Sequence, residues 1–196
     1  MKLYLFIFLI LSLVLVFAVP TYLTYKKTGV NPITFGKDDN AHNYIGKVFK
    51  ILIGLLIVVF AINFSPNVYN KFLNPIKYLE NRNVFWIGFV LLHLSMFCIF
   101  IAQMQMGNSW RIGIDENNPT EFVKNGLFSF SRNPIFLGMI ISIFSAFLVL
   151  PNLLTFFVAF AGYIVIQIQI RLEEEFLQKQ FGEEYSEYKK NTRRLT

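Results

Sequence analysis

Three short stretches of this chain hold residue types able to grip a small polar molecule, and each sits at the end of an apolar run. The first is Ser131-Arg132-Asn133-Pro134. Pro is favoured at the first position of a helix and Asn just before it, so the stretch reads as a helix start. A helix N-terminus presents unpaired N–H groups and the positive end of a dipole. Arg132 adds a guanidinium that can hold a carboxylate or phosphate. A capped helix with an arginine reaching to the headgroups is the plainer reading of the same four residues.

The second stretch is Arg171-Leu172-Glu173-Glu174-Glu175. A charged run leaving an apolar helix is ordinarily just solvated. Here Gln167 and Gln169 place amides in the last turns before it, and Gln169 and Glu173 share a helix face as i,i+4 neighbours. That pairing suits carboxylates that accept hydrogen bonds from a polar ligand at the bilayer surface. The third stretch is Gly107-Asn108-Ser109-Trp110-Arg111-Ile112-Gly113. Trp110 and Arg111 read as an interfacial anchor and a snorkelling charge, or, between two glycines, as residues where the backbone approaches a substrate closely.

The elements that must position these stretches are helices in a membrane. Of 196 residues, 55% are hydrophobic, 15% are charged and 23 are Phe, which is more apolar surface than a soluble fold of this length can cover. Apolar runs near 3–23, 45–64, 84–106, 134–150 and 153–170 each approach the roughly 20 residues that cross a bilayer. The chain is therefore expected to be an all-α polytopic integral membrane protein of about five transmembrane helices. Residues 1–196 form one transmembrane domain, closed by an amphipathic C-terminal helix over 171–190. Membrane lipid is its first partner. The first run follows Lys2 and exceeds a signal-peptide core in length, without an A-x-A site, so it is expected to stay as a span. The Pro-containing segment 65–83 is expected along an interface.

With five spans, 14 of the 18 Lys and Arg share one side, together with all three stretches. The positive-inside rule puts that side and the C-terminus in the cytoplasm and the N-terminus outside. The net charge of +6 is spread between apolar segments rather than gathered on a face, which argues against nucleic acid. Cys98 is alone, and His42 and His93 are far apart, so neither a disulfide nor a metal site is expected.

Two longer patterns carry a resemblance. Gly126-Leu127-Phe128, then Ser131-Arg132-Asn133-Pro134-Ile135-Phe136-Leu137-Gly138, is similar to G-x-[YF]…R-[HN]-P-x-[YF]-x-G. Glu173-Glu174, Leu177, Phe181-Gly182, Tyr185 and Tyr188 resemble E-E-x-x-L…F-G-x-x-Y-x-x-Y. Together they resemble the isoprenylcysteine carboxyl methyltransferase and phospholipid methyltransferase superfamily, with Gly107 to Ile114 similar to its bacterial branch. The resemblance covers about residues 103 to 195.

It implies a membrane methyltransferase, in the inner membrane of a bacterium, that uses S-adenosylmethionine. The cofactor would be held by Arg132, Asn133, Pro134, Phe136, Leu137, Gly138, Glu173 and Glu174, with Arg132 and Glu174 as catalytic residues. Gln169, Trp110 and Arg111 would face a lipid-like or small hydrophobic substrate. Arg132 and the helix start suit the cofactor's carboxylate, and a Glu suits its diol or ammonium. The prenylcysteine enzymes carry His where Asn133 stands, and an Arg where Gln169 stands. Gln169 offers no charge to a substrate carboxylate. An amine or thiol acceptor would need a general base, and the sequence places no histidine for it. Two rivals are a sterol-reductase-like enzyme using NADPH and a non-enzymatic membrane scaffold.

Overall fold

The computed structural model describes residues 1–36, 39–114, 118 and 121–195. Among these, the regular elements are all helical, and the only β pairings are isolated bridges. The helices are α1 (Lys2–Leu13), α2 (Val19–Thr28), α3 (Ala41–Ile62), α4 (Pro66–Phe72), α5 (Arg82–Met106), α6 (Pro134–Val149) and α7 (Leu153–Asn191).

Among the described residues, four helical stretches are long and apolar enough to cross a membrane: Lys2–Thr28, Ala41–Ile62, Arg82–Ser109 and Leu153–Asn191. The expected fourth span is the shorter helix α6, with 16 residues. Pro134 opens it and Pro151 follows its end, which limits it to about 24 Å at 1.5 Å per residue. Where a span over 153–170 and a separate helix over 171–190 were expected, α7 runs through both. The Glu-, Gln- and Lys-rich continuation is itself strongly helix-forming. Only Gly182 departs from helical geometry, at φ 52° and ψ −117°.

Asparagines set several helix starts. Asn40, Asn81 and Asn152 each accept a hydrogen bond from a backbone N–H in the first turn, and Asn152 with Thr155 forms a reciprocal capping box. Asn152 is fully buried, and its amide donates to the Tyr69 hydroxyl at 3.3 Å, which ties α4 to the α6–α7 turn.

Helices α5 and α6 pack through small residues, as is usual where lipid supplies no hydrophobic drive between helices. A Cβ on Gly138 would meet Ile99 Cγ1 at 2.5 Å, and one on Gly88 would meet Leu148 Cβ at 2.7 Å. Ser95 Oγ and Ser142 Oγ lie 2.8 Å apart across the seam.

A π-helical turn, Val14–Ala18, joins α1 to α2. Its cause is close by. Pro20 has no N–H for the carbonyl four residues back, and its ring crowds that carbonyl. The carbonyl is Val16 O, and the Gln103 amide of α5 donates to it at 2.7 Å. A side chain thus supplies the bond that the helix cannot make for itself.

Candidate functional site: a chamber with one polar end

The α1–π–α2 stretch, α3, the end of α5, the start of α6, and α7 surround a cavity of about 1200 Å³. Leu13, Phe17, Phe49, Ile53 and Met139 make its walls apolar, while Trp110, Arg111, Gln169 and Glu173 gather at one end. Single small-molecule pockets typically hold about 300–1,000 Å³. This chamber has room for more than one ligand.

At the polar end, Gln169 Nε2 donates to Glu173 Oε1 at 2.8 Å, as the i,i+4 spacing implies. Because Nε2 must be the donor, the amide orientation is fixed, and Gln169 Oε1 is left buried without a partner. Gln169 is only 2% exposed. Burial pushes the Glu173 carboxyl up to about 7, against the Gln169 donor and the charge of Arg111, which pull the other way.

Behind Gln169 stands His42. Its Nε2 accepts from the Ile114 N–H at 3.2 Å, so the neutral ring carries its proton on Nδ1. That nitrogen lies near the Gln169 amide but outside hydrogen-bonding geometry, and it has no partner. Two loops meet here. Thr34 N donates to Ile112 O at 3.0 Å, and Ile112 N donates to Pro32 O at 2.8 Å. Gly113 is at φ 96°, and a Cβ there would lie 2.5 Å from Thr34 Oγ1 and 2.6 Å from the His42 ring. Only glycine allows so close an approach.

Beside the chamber lies an ion network. Glu174 Oε1 accepts from Arg132 Nε at 3.0 Å and Nη2 at 2.9 Å, and from Asn133 Nδ2 at 3.2 Å. Glu174 Oε2 accepts from Arg194 Nε at 3.0 Å and Nη2 at 2.8 Å. Arg132 Nη1 also donates to Thr192 O at 2.6 Å and Lys189 O at 3.1 Å, and Arg132 N to Arg193 O at 2.8 Å. Burial works to raise the Glu174 carboxyl. The guanidiniums of Arg194 and Arg132 outweigh it and hold the group below the usual carboxylate range. The basic C-terminal residues thus dock on the start of α6.

The structure divides the candidate residues between these two places. Gln169, Glu173, Trp110, Arg111 and Phe136 line the chamber. Arg132, Asn133 and Glu174 form the network beside it. Asn133 occupies the N-cap position of α6 but makes no side-chain cap; its Nδ2 donates to Glu174 Oε1 and to Arg194 O. Pro134 and Gly138 are buried within the α6 packing, and neither they nor Leu137 lines the chamber. His93 is hydrogen-bonded, to Tyr4 at 2.6 Å and to Phe89 O at 2.7 Å.

Sequence reasoning missed His42, Gln103 and the whole first-helix wall. Gln103 is an amide in an apolar run, facing Pro20 two elements away, and that pairing is the signal that would have found it. No acidic or histidine cluster able to hold a metal occurs among the described residues.

The helices of this membrane protein thus line a chamber with a carboxylate at its polar end. Residues 83–184 match the phospholipid methyltransferase family, just over half of the chain, and the protein belongs to that family. Among curated proteins, no significant match is found. The family fits the expected membrane methyltransferase.

Proposed function

We propose that the protein transfers a methyl group from S-adenosylmethionine to a lipid-like or small hydrophobic acceptor at the cytoplasmic face of the membrane. The observation that carries this is the placing of Glu173 and Gln169, both inside the family match, at the polar end of a large apolar chamber.

The residues present fit the cofactor. The unpartnered Gln169 Oε1 and the Glu173 carboxylate are acceptors for an amino group or ribose hydroxyls. Arg111 suits a carboxylate, and the Trp110 and Phe136 rings suit adenine or a sulfonium cation. When bound, the cofactor supplies an electrophilic methyl group. The chain's contribution is then to hold donor and acceptor in line and to exclude water, which is most of what an enzyme can give such a displacement. For an amine or thiol acceptor, Glu173 is the chamber group best matched to take a proton near neutral pH. Arg132, Asn133 and Glu174 act from beside the chamber, fixing the junction of α6, α7 and the C-terminal segment. Pro134, Leu137 and Gly138 seat the start of α6. The basic residue distribution supports a cytoplasmic chamber mouth, with the N-terminus outside.

The test is a thermal-shift titration of detergent-purified protein. S-adenosylmethionine and S-adenosylhomocysteine are expected to raise the melting temperature, and Glu173→Gln to weaken that shift about tenfold in concentration. Stabilisation by NADPH alone would favour a reductase instead, and no shift with any of the three would leave the scaffold reading. Incubating labelled methyl donor with total membrane lipid then identifies the acceptor.

A further inference from the structure

Beyond the chamber, at the centre of the bundle, lies a second and much smaller cavity of about 110 Å³. All the long helices contribute to it, among them Leu9, Leu56, Met96, Ile143 and Ile166, and its walls present no polar surface. It shares six wall residues with the chamber: Leu13, Val16, Phe17, Phe49, Ile53 and Met139. These six residues border both cavities. Val16 belongs to the π turn and is held there by Gln103.

We propose that this inner compartment binds the end of a single hydrocarbon chain belonging to the methyl acceptor. That the chain's owner is a methyl acceptor rests on the methyltransferase reading; the compartment itself does not.

Three observations point to a chain end. Ser12 and Ser142 border the site but present no polar surface to it, and Ser142 Oγ is engaged with Ser95 Oγ and Gly138 O, so ordered water lacks the two to four polar partners it needs. Apolar cavities of about 150 Å³ stay dry and take up benzene, so a hole of this size and lining accepts hydrocarbon. Its surroundings are otherwise closely packed, with Val158, Ile166 and Ile99 each 1% exposed, so a hole here is a local feature rather than general looseness. The distance suits a chain as well. Glu173 lines the chamber and Gly162 the inner compartment. They are about 16 Å apart along α7 at 1.5 Å per residue, so a ligand with its head at Glu173 needs an extended tail to end beside Gly162.

The experiment uses the full chain in lipid nanodiscs, with Trp86→Phe so that Trp110, 4% exposed and lining the chamber, is the reporting fluorophore. The probes are straight-chain alkylammonium ions from octyl to hexadecyl, titrated against free aqueous concentration. Affinity is expected to climb about fourfold per methylene until the compartment is full, then to level off. Gly162→Ile puts its bulk into the compartment, where a Cβ meets only the flexible tip of Ile143 at 2.9 Å and Leu52 at 3.9 Å. It should move the levelling point at least two carbons shorter, and Leu56→Ala should move it longer, both with unchanged S-adenosylhomocysteine affinity. A levelling point common to all three proteins, or none at all, overturns the proposal. If S-adenosylhomocysteine does not bind the parent protein, the methyltransferase reading fails while the chain-length series still decides the compartment.

Discussion

Arg132 Nη2 lies 2.9 Å from Glu174 Oε1, and both side chains are less than a tenth exposed, at 7% and 6%. The two residues are 42 positions apart in the chain. A carboxylate so placed is stable only while its cations remain. Arg132→Ala leaves it with Arg194 as its one cation beside the Asn133 amide, and frees Thr192 O as well. Removing one partner of a buried pair costs about 3 kcal/mol or more, and that loss is expected in denaturant or thermal unfolding. Arg194, with a side chain 38% exposed, should cost clearly less when changed to Ala.

Acid should reproduce part of that loss. The folded-state value of Glu174 is held below the ordinary carboxylate value, so its contribution is complete above pH 4.5 and disappears as pH falls through the lowered value. Stability measured from pH 4.5 downward should fall in the parent protein. It should fall less in Glu174→Gln, which starts from a lower level.

Glu173 titrates with the opposite sign. Its folded-state value is raised to about 7, so the folded protein binds that proton more tightly than the unfolded chain. Its contribution to stability without ligand is then highest below pH 4.5, declines as pH rises to about 7 and is flat beyond. Glu173→Gln should remove the decline and be the more stable protein at pH 8. A cationic ligand at this carboxylate should bind more tightly above pH 7 than below, and the substitution should flatten that dependence too.

Gly138 stands where any side chain would strike Ile99 at 2.5 Å and the Ser95 carbonyl at 3.2 Å. Gly138→Val should lower the melting temperature through overpacking of about 1–3 kcal/mol. Cofactor affinity per folded molecule should stay the same. Loss of affinity at unchanged stability would return Gly138 to the ligand contacts.

Orientation is open to labelling. In a Cys98→Ser background, a cysteine at Lys190 should react with impermeant maleimide only from the cytoplasmic side, and one at Tyr78, 84% exposed, only from the other.

The helices were legible because hydrophobic run length is a strong signal in a membrane chain. Pro151-Asn152 and Gly182 are local signals too, a helix breaker between α6 and α7 and a residue tolerant of positive φ within α7. The Gln169–Glu173 pair followed from helix spacing. What stayed hidden was long-range. Nothing local marks Arg132 as the partner of Glu174 and Arg193 O, or the basic C-terminal end as a docked segment. The first helix is uniformly apolar, so its share of the chamber wall became visible only once Pro20, Val16 and Gln103 were seen together.

More than half of the residues around the chamber belong to the first 53 positions, whereas the family match begins at 83. The chamber is thus built jointly by helices inside and outside the family match. Exchanging the N-terminal helices for others would renew most of its wall and leave Gln169 and Glu173 in place.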